Sequence, residues 1–387
     1  MDVTSACESS LNTGIQRVIR NLWSVLIERR PDAVPIVWDN KRCSYYSLSK
    51  AEGLFLKDPF HGKTISNARP RSSLFSKTTK RVKQILGRNL ENLVSLQDSN
   101  SDDTLLIPEI ARDRRILYFN LNKIDANKVA LFYDAISWKF PEFSPGNRAE
   151  GFSQYMDLLA KMDIIVSISD ESKDDLIHYW RSKNLLFHGT ISTLSLPVHK
   201  KIPEIENVQR IKSNQILSVG TLELRKNYKT LLEACEVLWK ESCDFSLTII
   251  GRALKGQSEE VIKKIKSLQI QNYPIEWLMH IDDETLNHCY ESAYFTVYPS
   301  IVEGFGLPII ESLYFNKPCI CNKEGAISET AKGGGCLLTD VKTSEPLVES
   351  IRQLLQNDEL HQKLTREINH RTLKDWSDYY CELEQYF

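Results

Sequence analysis

Several things are missing from this 387-residue chain, and each absence removes a class of function. No window comes near the ~18 uncharged apolar residues that a membrane-spanning helix needs. The opening MDVTSACESSLNTG has neither a basic start nor an apolar core, so no secretory signal is expected there. The nine cysteines contain no C-x-x-C, and an odd number at irregular spacing argues against a disulfide framework. A reducing, cytoplasmic setting is therefore the expectation. Among the eight histidines none pairs at metal-ligand spacing, so His178 and His188 read as surface or structural residues. No D-x-D triplet occurs anywhere in the chain. A net charge of −2 offers no field that would attract nucleic acid, and no repeat recurs at solenoid periods.

What is present is a globular composition, 42% hydrophobic and 26% charged, long enough for two or three domains. From about residue 205 short apolar runs alternate with helical patterns. QILSVGT (215–221), SLTIIG (246–251), IEWLM (275–279), YFTVYPS (294–300) and PCICN (318–322) read as strands. Helices are expected after Asn227, which could cap the first of them, and near 257–269, 283–293 and 307–315. This alternation predicts a parallel sheet covered on both faces. Cys319 and Cys321 share a strand face, where packed thiols are the expected reading.

The first half reads similarly. Ile15, Val18, Ile19, Leu22 and Leu26 form one helical stripe closed by Pro31. VPIVW (34–38), ILYFN (116–120), KVALFYD (128–134) and DIIVSIS (163–169) read as strands. The expectation is an α/β molecule of two doubly wound domains, 1–204 and 205–370, facing across a cleft. Residues 371–387, aromatic and helix-compatible, would pack back on the first domain. An insertion near 50–105 follows neither pattern. From Pro59 to Leu90 it holds eight Lys or Arg and no acid, which suits either a solvated loop or a basic patch facing anionic lipid.

The stretch SIVEGFGLPIIES (300–312) carries the chemistry. It joins a strand to a helix that starts at Leu307-Pro308, and ligands of open α/β sheets bind at that edge. Gly304 and Gly306 remove side chains where phosphates would meet backbone N–H groups, and the helix N-terminus adds partial positive charge. Glu303 and Glu311 flank this loop. Ionised carboxylates accept from hydroxyls, so the expected ligand has phosphate in the middle and hydroxyl-bearing rings at both ends. That is a nucleotide-sugar, with Glu311 on the ribose and Glu303 on the sugar. In SVGTLELRKNYKT (218–230) a strand ends at Gly220-Thr221, and Arg225 and Lys226 follow at the same edge. They could grip a diphosphate. Arg252 ends the next strand and could lie near the diphosphate or base. Asp282 reads either as a helix cap or as a contact to the base.

GT-E-x-RKN followed by PS-x-x-EGFGLP-x-x-E resembles the retaining glycosyltransferases of family 4, which have the GT-B fold. The resemblance covers the second domain closely and the first loosely. NTGIQRVIR (12–20) is similar to the family's N-terminal loop and helix, which would turn Thr13 and Gly14 toward the diphosphate. FYDAISWKFPEF (132–143) resembles a strand end where His is common; Tyr133 stands there instead, and Asp134 is kept. VSISDESKDDL (166–176) resembles the serine-containing turn before the linker. The resemblance implies hexose transfer with retention from a UDP- or GDP-sugar to a glycan or lipid-linked acceptor, without an obligatory metal or other cofactor. Glu303, Arg225, Lys226 and Asp134 would be catalytic. Phe305 and Leu307 would join the donor site, and Arg17, Tyr133 and Ser169 the acceptor side. The alternative is a non-catalytic GT-B-like nucleotide-binding or scaffold protein. The implied location is cytoplasmic, with the basic segment as a potential peripheral contact to the inner membrane face.

Overall fold

The computed structural model describes residues 1–8, 14–57, 92–144, 148–198 and 214–387. Thr13, the basic segment 59–90 and most of the expected linker lie outside them. Each half of the chain builds its own sheet. In the first, β1 (Ile36–Asp39), β2 (Ser44–Ser47) and β3 (Leu93–Val94) pair antiparallel. β4 (Thr104–Ile107), β5 (Asn127–Phe132), β6 (Ile164–Ser167) and β7 (Thr190–Thr193) pair parallel in chain order. Asp2 stitches the two sets together: it bridges Ile36, and its N–H donates to the Leu106 carbonyl at 2.9 Å.

The second half contains β8 (Gln215–Val219), β9 (Ser246–Ile250), β10 (Ile275–Leu278), β11 (Phe295–Tyr298), β12 (Cys319–Asn322) and β13 (Cys336–Thr339), all parallel. Their spatial order is β10-β9-β8-β11-β12-β13. The chain therefore winds outward one way from β8 and then the other way from β11. The crevice between those two neighbours is the topological switch point of a doubly wound sheet. The inner strands β9, β8, β11 and β12 are largely buried because helices cover both faces, whereas the edge strands β10 and β13 expose Glu276 and Leu338. Leu231, Leu232, Cys235 and Leu238 of the helix Tyr228–Lys240 pack with Ile216, Leu247 and Ile249 in one buried cluster.

Not every apolar run became the expected element. ILYFN lies in a helix, Arg115–Leu121, rather than a strand. Arg115 and Phe119, one turn apart, are buried, whereas Leu117 and Leu121 are 52% and 74% exposed. That one-sided burial at a spacing of four is helical, and five residues are too few to show it in advance. The strands β4, β7 and β13 are short and had no sequence signal. PCICN is a strand as expected, and Cys319 and Cys321 are buried thiols within it.

The helix Trp376–Leu383 crosses back. Asp375 caps it, accepting from the N–H groups of Ser377 and Asp378 at 2.7 and 2.9 Å. Trp376, Tyr379, Tyr380 and Leu383 join the cluster formed by Val18, Leu22, Trp23 and Leu26 of the helix Gly14–Arg29. Arg29 Nη2 also donates to Ser377 Oγ at 2.9 Å.

The halves touch at the cleft too. A Cβ added to Gly304 would fall 2.2 Å from the Tyr133 carbonyl oxygen and 3.0 Å from Asp134 Cβ. Gly304→Ala therefore has to push the two halves apart, and overpacking of this kind costs about 1–3 kcal/mol. Its melting temperature should fall by several degrees. Gly53→Ala, whose Cβ would meet nothing within 4 Å, should not lower it. An unchanged melt for Gly304→Ala would show that this contact does not hold the halves together.

Candidate functional site

β8 and β11 are in register, with Ile216 beside Phe295 and Leu217 beside Thr296. Their following loops consequently leave the sheet side by side. The first carries Arg225 and Lys226 in a short 3-10 turn, Leu224–Lys226; the second carries Glu303. The Arg225 carbonyl accepts from the Ile301 N–H at 2.8 Å and from Ser300 Oγ at 3.2 Å, stapling one loop to the other. Glu303 then sits between two cations. Its Oε2 lies 2.5 Å from Arg225 Nη1 and its Oε1 lies 2.5 Å from Lys226 Nζ.

The surroundings tune each charge. Burial alone would raise the Glu303 carboxyl, but Arg225, Lys226 and the Ser300 hydroxyl outweigh it and hold it down at about 2. Burial lowers the Lys226 ammonium from its ordinary value, with Glu303 opposing. Lys226 Nζ also donates to Tyr298 OH at 2.6 Å. For Arg225 burial works against the charge, yet Glu303 and Glu223 together raise it; Glu223 pairs with Nη2 at 2.7 Å. Gly220 keeps the space open at the end of β8, since a Cβ there would lie 3.1 Å from Tyr228 OH and 3.7 Å from the Lys226 stem. Thr221 follows it, partly buried.

Gly306 adopts a left-handed conformation, φ 100°, and opens the helix Leu307–Tyr314 with Pro308 in its first turn. Amide N–H groups at such a start have no acceptor within the helix. Phe305 is buried, and its carbonyl accepts from Thr330 Oγ1. Glu311, one turn on, is engaged on both oxygens: Arg17 Nη2 lies 2.7 Å from Oε1, and Tyr290 OH donates to Oε2 at 2.9 Å. Gly14 reaches the same loop, as a Cβ there would sit 3.7 Å from Leu307 Cδ1.

Three expectations change. Tyr133 does not face an acceptor: its ring is buried and its hydroxyl donates to the Pro108 carbonyl at 2.6 Å. Ser169 is buried as the cap of the helix Asp170–Ser182, accepting from the Ser172 N–H at 3.1 Å. Arg17 lies on Glu311, the residue expected at the ribose, and not on the acceptor side. Asn227 does occupy the N-cap position of the helix Tyr228–Lys240, but in a left-handed conformation, φ 54°, and its side chain accepts from Thr230 Oγ1 at 2.6 Å in place of a backbone N–H. Asp282 is exposed and caps the helix Asp283–Ser292 through Thr285 N–H at 2.8 Å, the structural one of its two readings. Asp134 does lie at the cleft. Burial raises its carboxyl above the ordinary range, while neighbouring Arg225 pulls the other way. Arg252 lies two residues beyond the end of β9, and its carbonyl accepts from the Leu222 N–H at 2.9 Å.

Tyr298, Ser300, Glu223 and Tyr290 complete the cluster and were not singled out from sequence. Tyr298 and Ser300 stand inside the motif, so a strand-end reading of every polar side chain there would have found them. Glu223 and Tyr290 gave no local signal. Two more glutamates join the halves. Glu329 accepts from the N–H groups of Asp170 and Glu171 at 2.8 Å each, and Glu171 accepts from the Ala326 N–H in return. Each helix start is thus capped from the other domain.

Two facing parallel-sheet domains with a charged switch-point crevice and a returning C-terminal helix define the GT-B architecture. HepE from Anabaena, solved with UDP, superposes with a TM-score of 0.62 at 14% identity, covering 97% of this chain and 96% of that one. Sucrose-phosphate synthase from Thermosynechococcus elongatus gives 0.62 at 16% identity, over 96% and 92%. Residues 201–371 match the family model described as glycosyl transferases group 1. In sequence the chain is 27% identical over 236 residues to O-antigen chain mannosyltransferase B of Escherichia coli, covering 59% of this chain and 61% of that protein. It is 28% identical over 145 residues to O-antigen chain mannosyltransferase RfbU of Salmonella typhimurium, over 37% and 40%. The match to the E. coli relative thus stops short of two thirds of its length.

The depressed Glu303 carboxyl makes a stability prediction with a definite sign. A carboxyl held at about 2 in the folded chain, against an ordinary 4.5, stabilises the fold above pH 4.5 and loses that contribution as pH falls toward 2. The contribution is about 3 kcal/mol. Glu303→Gln should lower the urea midpoint at pH 7, with the gap to wild type closing as pH falls from 4.5 to 2. A gap that stays constant with pH would show that Glu303 is not held by the two cations.

Proposed function

We propose that this protein is a hexosyltransferase of polysaccharide or glycoconjugate assembly. It takes the sugar from a UDP- or GDP-linked donor and passes it, with retention at the anomeric carbon, to a glycan or lipid-linked acceptor. The observation that carries this reading is the convergence of Arg225, Lys226 and Glu303 at the switch point. Support also comes from the match to glycosyl transferases group 1 and from relatives named as O-antigen chain mannosyltransferases.

In this reading the diphosphate lies between Arg225, Lys226 and the start of the helix Leu307–Tyr314. A guanidinium has five N–H donors and an ammonium three, so both can hold Glu303 and a phosphate oxygen together. Glu303 accepts from the sugar hydroxyls. As the bond from the anomeric carbon to the phosphate oxygen breaks, the acceptor oxygen bonds that carbon on the same face, and its proton passes to the leaving phosphate. The two cations stabilise the charge that develops there, a role a divalent ion would otherwise have. Asp134 would orient the acceptor hydroxyl from across the cleft.

The second reading, a nucleotide-binding scaffold without turnover, draws on Tyr133. Its buried ring leaves Asp134 without a histidine neighbour at that strand end. Donor hydrolysis separates the two: slow release of nucleotide in the absence of acceptor marks a transferase, and tight binding with no release over hours marks the scaffold.

Peripheral membrane contact through 59–90 also belongs to this proposal. No helix among the described residues is long and apolar enough to cross a membrane. Neutralising the eight basic residues should reduce partitioning onto vesicles containing phosphatidylserine, and unchanged partitioning would remove that contact.

Arg225→Ala and Lys226→Ala should each slow transfer by about 10²–10³-fold. They should weaken UDP or GDP far more than uridine or guanosine in titration calorimetry. Equal losses for nucleotide and nucleoside would refute a diphosphate role for the pair.

A further inference from the structure

The loop after β9 brings a third polar side chain between the two halves. It runs beside the loop after β8: Leu222 bridges Ala253, the Leu222 N–H donates to the Arg252 carbonyl at 2.9 Å, and the Leu254 N–H donates to the Leu222 carbonyl at 3.1 Å. A turn then follows, closed by the Gln257 N–H on the Leu254 carbonyl at 3.1 Å, and Gln257 itself is only 6% exposed. Its side chain reaches two separate segments. Oε1 accepts from the Leu224 N–H at 3.2 Å, at the start of the turn that carries Arg225 and Lys226. Nε2 donates to the Phe143 carbonyl at 3.3 Å, on the segment of the first half that begins at Asp134. We propose that Gln257 is a positioning residue that ties the acceptor-side segment to the diphosphate-gripping turn, so that donor binding orders the acceptor side. This role rests on the diphosphate reading of Arg225 and Lys226 and deepens it.

The two bonds run in opposite senses, which settles the orientation of the amide. A backbone N–H needs its oxygen and a backbone carbonyl needs its nitrogen, so a flipped side chain would lose both partners. The amide is planar, and fixing one end therefore aims the other. The acceptor-side segment is anchored elsewhere near its start. Lys139 Nζ donates to Asp175 at 2.8 Å, and Trp138 meets Tyr179 edge-on with ring centroids 5.3 Å apart, both on the helix Asp170–Ser182. The far end folds back through Ser144 Oγ, which donates to Ser137 Oγ at 3.0 Å. Gln257 holds that far end from the other domain. A diphosphate gripped by Arg225 and Lys226 immobilises their turn, the turn immobilises Oε1, and Nε2 is then held toward Phe143. Ordering the first segment thus lowers the cost of ordering the second.

The test is amide hydrogen exchange on the full chain, with and without saturating UDP or GDP. In wild type the nucleotide should slow exchange in 222–230, where the turn lies. It should also slow the amides of 138–144 by about five-fold, the worth of one neutral hydrogen bond. Gln257→Met keeps the length of the side chain and removes both polar ends. It should retain the slowing in 222–230 and show none in 138–144. If 138–144 is still slowed five-fold in Gln257→Met, the nucleotide acts there without Gln257 and the role is refuted, whatever the variant's melting temperature. If Gln257→Met loses the slowing in both segments, Gln257 merely supports the turn, and the role is refuted again. Slowing confined to 222–230 in wild type overturns the coupling and leaves the diphosphate reading standing. No slowing in 222–230 with either nucleotide removes the diphosphate reading and this role with it. Should Gln257→Met not fold, Gln257→Glu at pH 8 replaces it with the same expected outcomes, since an ionised carboxylate accepts from Leu224 and has no hydrogen to give Phe143.

Discussion

A single carboxylate held between two cations in a poorly solvated crevice organises this molecule. Glu303 is buried deeply enough that, alone, it would take up a proton. Arg225 and Lys226 keep it ionised instead, and it in turn opposes the lowering that burial imposes on the Lys226 ammonium. None of the three is stable in that place without the others, because a buried charge left unpaired costs several kcal/mol. The group is therefore rigid, and it stands ready as a row of donors beside an acceptor. Such pre-organisation is what a site needs when charge is to develop on a leaving phosphate and no solvent reorganisation should be required.

Everything around the cluster serves to bring two loops together. The strand order reverses between β8 and β11, so their loops leave from neighbouring strands. The backbone bond from Ile301 to Arg225 closes the remaining distance. Gly304 lets the second loop approach the end of β5, and that approach places Asp134 within electrostatic reach of Arg225. The two domains are then held by devices of different kinds: an ion pair at Glu311, reciprocal helix caps at Glu171 and Glu329, and the aromatic face of the last helix against the first long one.

Much of this was legible in the sequence where short-range rules govern. The second half announced its strands as isolated apolar runs between helices, because a strand buried on both faces has no polar alternation to confuse it. Gly304, Gly306 and Pro308 marked the loop and the helix start, and the paired acids and adjacent basic residues at strand ends located the charged crevice. What was hidden depends on direction or on distance. Tyr133 follows a buried strand and could have faced either way; only the packed structure shows its ring turned inward to Pro108. Ser169 could have met a ligand or capped a helix, and capping is local and dominated. ILYFN carried strand-like residues but too few positions to reveal a four-residue spacing. Arg17 finds its partner in the other half of the chain, and nothing near either residue signals that meeting.

A crystal structure with a bound UDP- or GDP-sugar tests the diphosphate pocket most directly. The arrangement described here requires phosphate oxygens within hydrogen-bond distance of Arg225 and Lys226, with the hexose hydroxyls at Glu303. A donor whose diphosphate lies away from both cations, with the Arg225–Glu303–Lys226 cluster intact and untouched, would contradict it.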